Sequence, residues 1–169
     1  MTGIRIKVDD SAIQAALRGV AEKDGGLVEA SLKVIGQYMV TSTRQRFRDQ
    51  VDPSGDAWTA LKPEYAAGKS GTKILQELGM AGGLMGSITA QLNGTTLQIG
   101  TNKVYGAIHQ FGGTIIPRNY PALVFRINGK LCFAHEVTIP ARPYLGVSAE
   151  DRAEIPLLVQ DVLDAAADP

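Results

Sequence analysis

The side chains best suited to chemistry are few: two imidazoles, His109 and His135, and one thiol, Cys132. A Cys132–His135 pair would be an activated nucleophile of the kind that acyl transfer uses. Three residues apart on a strand, however, the two side chains point to opposite faces. Cys132 reads instead as a small hydrophobe buried in a strand. His135-Glu136 opens like a helical zinc-protease motif, but Ile139 stands where the second histidine belongs. His109, beside Gln110 and ahead of Gly112-Gly113, reads as a hydrogen-bonding residue at the end of a short helix, with interface or ligand contact as the alternative.

Other site patterns fail on single positions. Gly68-Lys69-Ser70 resembles the end of a phosphate-binding loop, yet Pro63 occupies the place of its first glycine. Gly79, Gly82, Gly83 and Gly86 do not follow the dinucleotide spacing, and there is no Gly-x-Ser-x-Gly elbow. A carboxylate pair for glycoside chemistry cannot be singled out, because the acids cluster in helices and in the tail. These residues predict a protein that is not an enzyme, with no catalytic residue, no cofactor, no metal and no small-molecule substrate. Two readings compete with that: a small hydrolase or nuclease using His109 or His135 with nearby acids, and a DNA-contacting module with Arg44, Arg46, Arg48 and Lys62 along one surface.

The frame that positions these residues is of ordinary size. The 169 residues predict one domain over 1–169, since domains run to roughly 100–200 residues. Hydrophobic residues make up 44% and charged residues 20%, which argues against wholesale disorder. The 17 basic and 17 acidic side chains cancel, so bulk charge does not drive nucleic-acid binding. One cysteine rules out an internal disulfide framework and cannot make a structural zinc site alone. No targeting segment is expected in the alternating start Ile4-Arg5-Ile6-Lys7. The uncharged run Gly79 to Asn102 is too rich in glycine and amides for a membrane span.

Ile4, Ile6 and Val8 alternate as a strand would. Asp10 or Ser11 then caps a helix with Ile13, Ala16, Leu17 and Val20 on one stripe, ended by Gly25-Gly26. A second helix places Val28, Leu32, Ile35, Met39 and Phe47 inward and Arg44, Arg46 and Arg48 at its far end. Turn formers dominate a long irregular loop at about 50–73, which holds the sole tryptophan, Trp58. Ile74 to Leu78 suggests a helical turn. Strands at Ser87–Leu92 and Thr96–Thr101 form a hairpin about Asn93-Gly94, and Ala122–Ile127 with Lys130–Thr138 a second about Asn128-Gly129. Between them lie a short helix at Val104–Phe111 and a strand at Thr114–Ile116.

Pro140 to Tyr144 forms a stiff connector, and an acidic C-terminal helix runs over about 148–166, kinked or divided by Pro156. The fold class is therefore α+β. An antiparallel sheet of two hairpins plus the amino-terminal strand is packed by two N-terminal helices and the C-terminal helix. Charge is unevenly spread: Thr101 to Leu145 carries five basic residues and one acid, whereas Gly146 to Pro169 carries six acids and one base. Two accounts stand: solvated surfaces, or one subunit's acidic tail meeting the next subunit's basic face in a head-to-tail contact that closes into a ring.

Several segments occur in a telling order: Phe47-Arg48, Asp52-Pro53-Ser54-Gly55-Asp56-Ala57-Trp58, Ile74 to Gly79, Leu84 to Ile88, Gly100 to Gly113, and Pro140-Ala141-Arg142-Pro143-Tyr144-Leu145-Gly146. Together they resemble the phage virion morphogenesis family, which includes tail-completion proteins of Mu-like and P2-like bacteriophages. The resemblance spans about residues 30–165. Leu78-Gly79, where such proteins tend to have Thr-Gly, and the glycine-rich Met80–Gly83 depart from it.

The resemblance implies a structural role at the head–tail junction, in tail completion or a neck ring. It also implies a homo-oligomeric ring, six copies matching tail symmetry, with tail-tube or neck proteins as partners. Non-specific contact with packaged DNA is part of the same picture, and a membrane is not. The protein would be made in the bacterial cytoplasm and end in the virion. On this reading the candidate interface residues are Trp58, Tyr105, His109, Phe111, Arg142 and Tyr144, and Arg44, Arg46, Arg48 and Lys62 are the candidate DNA-channel contacts. Packing inside the subunit is the alternative for Trp58 and for the Tyr105–Phe111 and Arg142–Tyr144 motifs.

Overall fold

A computed structural model describes residues 11–21, 25–69, 71, 73–76 and 83–167. The expected amino-terminal strand, Asp10, and positions 77–82 with Leu78 and Gly79 lie outside the described residues. Helix α1 (Ser11–Ala21) turns Ile13, Ala16, Leu17 and Val20 inward, the i, i+3, i+4, i+7 stripe of an amphipathic helix. Gly25-Gly26 does not end α1 but opens α2 (Gly25–Asp49). The first turn of a helix has no intrahelical acceptors to lose, so glycine costs less there than in mid-helix.

Helix α2 is the spine. Its first half packs Ile35 and Met39 with Val20 of α1 and with Ile155 and Val159 of α5 (Ala149–Ala167). Its second half delivers Phe47 to a separate core of Trp58, Ile74, Leu84, Met85, Ile88, Tyr144 and Leu145. Helix α5 runs unbroken through Pro156, so of the two expected outcomes, a kink or a division, the division does not occur. Ile155 and Val159 are buried on either side of the proline, and that packing offsets a lost helical hydrogen bond. Ser148 caps the helix reciprocally: its Oγ accepts the Asp151 N–H at 3.0 Å, and its own N–H donates to Asp151 Oδ2 at 2.8 Å.

The loop after α2 has structure of its own. Asp52 Oδ1 accepts the N–H groups of Ser54 and Asp56 at 2.7 and 3.0 Å, and Val51 bridges Ala57. That turn swings Trp58 inward before the four-residue helix α3 (Pro63–Ala66). After a 3₁₀ turn at Met85–Ser87, β1 (Thr89–Asn93) and β2 (Thr96–Gly100) lie flat on α2. Gly36 makes this approach feasible, because a Cβ there would sit 3.0 Å from Leu97 Cδ1 and 3.1 Å from Ala90 Cβ. Asn93 pairs with Thr96, so the loop is Gly94-Thr95, one residue later than expected.

Helix α4 (Gly106–Phe111) leads into β3 (Gly113–Ile115), and β4 (Leu123–Ile127) and β5 (Lys130–Ala134) turn about Asn128 and Gly129. Both turn residues have positive φ, 53° and 77°, as a type I′ loop requires. The expected strand Lys130–Thr138 is two strands. Pro121 has no N–H to extend the ladder beyond Leu123–Ala134, and β6 (Val137–Ile139) pairs with β3 instead. The α+β mixture with antiparallel pairing stands. The two hairpins nevertheless do not share a sheet: among the described residues there are three two-stranded sheets, β1–β2, β3–β6 and β4–β5.

Candidate assembly interface

Several of the segments singled out in the sequence converge on the connector 140–146 and clamp it. Phe47 meets Trp58 edge-on at 5.3 Å and Tyr144 at 5.1 Å between ring centroids. Trp58 Nε1 donates to the Pro143 carbonyl at 2.8 Å, and the Tyr144 hydroxyl donates to the Gly106 carbonyl at 3.1 Å. The buried Gln110 amide works in both directions: its Oε1 accepts the N–H groups of Tyr144 and Leu145, and its Nε2 donates to the Leu145 carbonyl, all at 3.0 Å. Arg142 donates to the carbonyls of Thr59 and Ala60, which ties the connector to the tryptophan loop.

Arg46 closes the clamp from α2. Its guanidinium donates to the carbonyls of Tyr144 and Gly146 at 3.1 and 3.0 Å and forms a buried ion pair with Asp151. Burial alone would raise the Asp151 carboxyl. The Ser148 N–H, the Ser42 hydroxyl and Arg46 outweigh it and hold the group below the usual carboxylate range. Burial, with Asp151 nearby, pushes the Tyr38 phenol up to about 12. Burial raises the Tyr144 phenol further and lowers Arg142. These shifts mark a desolvated polar network.

The clamp grips both roots of an arm, residues 113–139. At the first root, Gly112 has φ +68°, and a Cβ there would meet the Ala141 backbone nitrogen at 2.7 Å, so only glycine fits. At the second, the Arg142 N–H donates to the His109 carbonyl at 2.7 Å. Among the described residues the β4–β5 hairpin makes no extensive contact with a helix; its tip rests on α3, where Asn128 Nδ2 donates to the Glu64 carbonyl at 2.9 Å. Its outer face shows Val124 opposite Phe133, exposed by 58% and 66%, and Arg126 opposite Leu131. Beside it Ile116, Tyr120, Leu123, Val124 and Phe133 line a cleft of about 590 Å³ that Arg118 borders.

Of the expected interface residues, Trp58, Arg142 and Tyr144 are thus spent inside the subunit. Tyr105 and Phe111 are exposed at the root of the arm, and half-buried His109 meets the Tyr105 ring edge-on at 6.1 Å. Of the expected DNA contacts, Arg46 is buried, and Arg44 donates to the Ile88 carbonyl at 3.0 Å. Arg44 is half-buried, and Arg48 and Lys62 are exposed. Gln110, Asp151 and the arm's apolar face were not singled out as functional. Gln110 had a signal in its place between two segments that the tertiary fold joins; Asp151 had only its Ser148 box.

Cys132 is not in a core: it lies half-buried on the isolated hairpin, its Sγ near the Lys130 carbonyl. His135 stands beyond the end of β5, with Nδ1 bonded to the Pro121 carbonyl at 3.0 Å. Among the described residues no group of three or more His, Cys, Asp or Glu side chains could hold a metal ion, and no helix is long and apolar enough to cross a membrane.

Comparison with known proteins gives this arrangement a setting. The "Putative capsid assembly protein G" of Escherichia phage Mu is 31% identical over 157 residues, covering 90% of this chain and 88% of that one. The "Mu-like prophage FluMu G protein 2" of Haemophilus influenzae is 30% identical over 159 residues, 94% of each chain. No solved structure is significantly similar. The model of the phage virion morphogenesis family matches residues 8–164, clamp and arm alike, and the chain belongs to that family.

Proposed function

We propose that this protein is a structural component of the virion that acts at the head–tail junction, completing the tail or joining the neck as a homo-oligomeric ring. One observation carries the reading: a buried clamp spends a tryptophan, a glutamine, two arginines and a tyrosine on holding an arm whose own apolar side chains face outward. A fold that fixes the roots of an unburied arm is built to be gripped by other chains. The relative in phage Mu carries a capsid-assembly name, and the family is one of virion morphogenesis. The head–tail junction is where a capsid role and a tail role meet.

The protein would be made in the bacterial cytoplasm and stay in the particle, with tail-tube or neck proteins as neighbours and six copies matching tail symmetry. Arg48 and Lys62 keep exposed charge and are the groups left to face passing DNA. Sedimentation and electron microscopy of the purified protein test the proposal. A closed ring that grows with concentration is the expected result. A strict monomer, alone and beside its tail partners, would overturn it.

A further inference from the structure

Nine of the eleven exposed large apolar side chains among the described residues lie between Val104 and Phe133, on or near the arm, and one of the other two is Leu157 on α5. The charges around these two places are opposite. Arg118, Arg126 and Lys130 are exposed on the arm, where Glu136 is the lone acid. On α5, Ala153, Leu157, Asp161 and Asp164 are exposed at i, i+4, i+8 and i+11, which is a single stripe, with Glu150 near its start. The opposite stripe, Asp151, Ile155 and Val159, is buried against α1 and α2. Besides Arg152 and Gln160, helix α5 therefore shows solvent one leucine between small and acidic residues.

We propose that the outer face of β4–β5, with the cleft beside it, docks on the outer stripe of α5 in a second copy of this chain. This rests on the ring reading above and names the surfaces that make the ring. Leu157 supplies the apolar knob for the cleft between Tyr120 and Phe133, and Asp161 and Asp164 meet Arg126 on that face and Arg118 beside the cleft, a helix laid in a groove. The sizes agree: the stripe from Ala153 to Asp164 runs about 17 Å along α5, and a five-residue strand spans about 17 Å.

The occupant belongs to another copy, because within one chain α5 packs on α1 and α2 and makes no comparable contact with the arm. Arm-to-arm pairing would instead stack Arg118 and Arg126 on their own equivalents. Arm against α5 is heterologous, and such contacts generate rings when the rotation closes. A chain of zero net charge with separated basic and acidic faces favours this association.

Charge reversal tests the docking by sedimentation velocity over a concentration series, with circular dichroism to confirm folding. Arg118→Glu with Arg126→Glu, or Asp161→Lys with Asp164→Lys, should each raise the concentration needed for assembly by about tenfold or more, and the four changes together should restore it. Double variants that assemble like the wild type, or a quadruple variant as weak as the doubles, overturn the docking and leave the ring reading standing. A wild type that never associates overturns both.

Crosslinking supplies an independent reading, in a Cys132→Ser background. Leu131→Cys combined with Leu157→Cys should oxidise to a ladder of covalent oligomers. Dimers from Leu131→Cys alone would show arm-to-arm contact and overturn the proposal.

Discussion

Tyr144 and Tyr120 are both tyrosines within 25 residues of each other, yet one is 0% exposed and the other 78%. Phe47 and Phe133 make the same contrast, at 0% and 66%. The difference is in what surrounds them. The connector carrying Tyr144 is enclosed by α2, α4 and the tryptophan loop, which satisfy its backbone N–H and carbonyl groups as well as covering its ring. The arm carrying Tyr120 and Phe133 is a pair of two-stranded ribbons, and the β4–β5 ribbon has no second layer over its outer face. Apolar content is thus a stability device in one region and an unfilled contact surface in the other.

The sharpest way to break that contrast is to attack the clamp. Asp151→Ala leaves Arg46 buried without its carboxylate, and the fold should lose about 3–5 kcal/mol in urea denaturation. Gln110→Ala strands the N–H groups of Tyr144 and Leu145 and the Leu145 carbonyl, for a smaller loss of about 2–3 kcal/mol by the same measurement.

Acid probes the clamp without mutation. Because the folded Asp151 carboxyl titrates below its unfolded value of about 4, its contribution is complete above that pH and disappears as pH falls through the lower folded value. The acid limb of a stability–pH curve should therefore flatten in Asp151→Asn relative to the wild type. At the small end, Val124→Ser with Phe133→Ser should move the stability of the isolated subunit by under about 0.5 kcal/mol. The same pair should cripple assembly. A large loss of subunit stability would show that the hairpin face is core, and the distinction drawn between the two regions would fail.

Much of the clamp's composition was legible before its geometry. Phe47, Trp58, Gln110, Arg142 and Tyr144 all fall inside segments picked out by their order along the chain, and the hairpin about Asn128-Gly129 follows from two residues that accept positive φ. Their division between inside and outside was not legible. Trp58 in a loop dense with turn formers looks like a surface anchor until the Asp52 turn is seen to direct it onto Phe47. Arg46 looks like a free cation beside Arg44 and Arg48, since its partner Asp151 lies far off in sequence.

What the sequence determined alone is local: the amphipathic stripes of α1 and α2, the Asn128-Gly129 turn, and the separation of basic and acidic stretches. These depend on spacings of a few residues, where backbone geometry and propensity act directly. Only the tertiary structure decided that β6 leaves β5 for β3, that α5 continues through Pro156, and that one glutamine holds the connector. Each is a choice among partners tens of residues apart, made by which contacts exclude water together, and no local pattern encodes that competition.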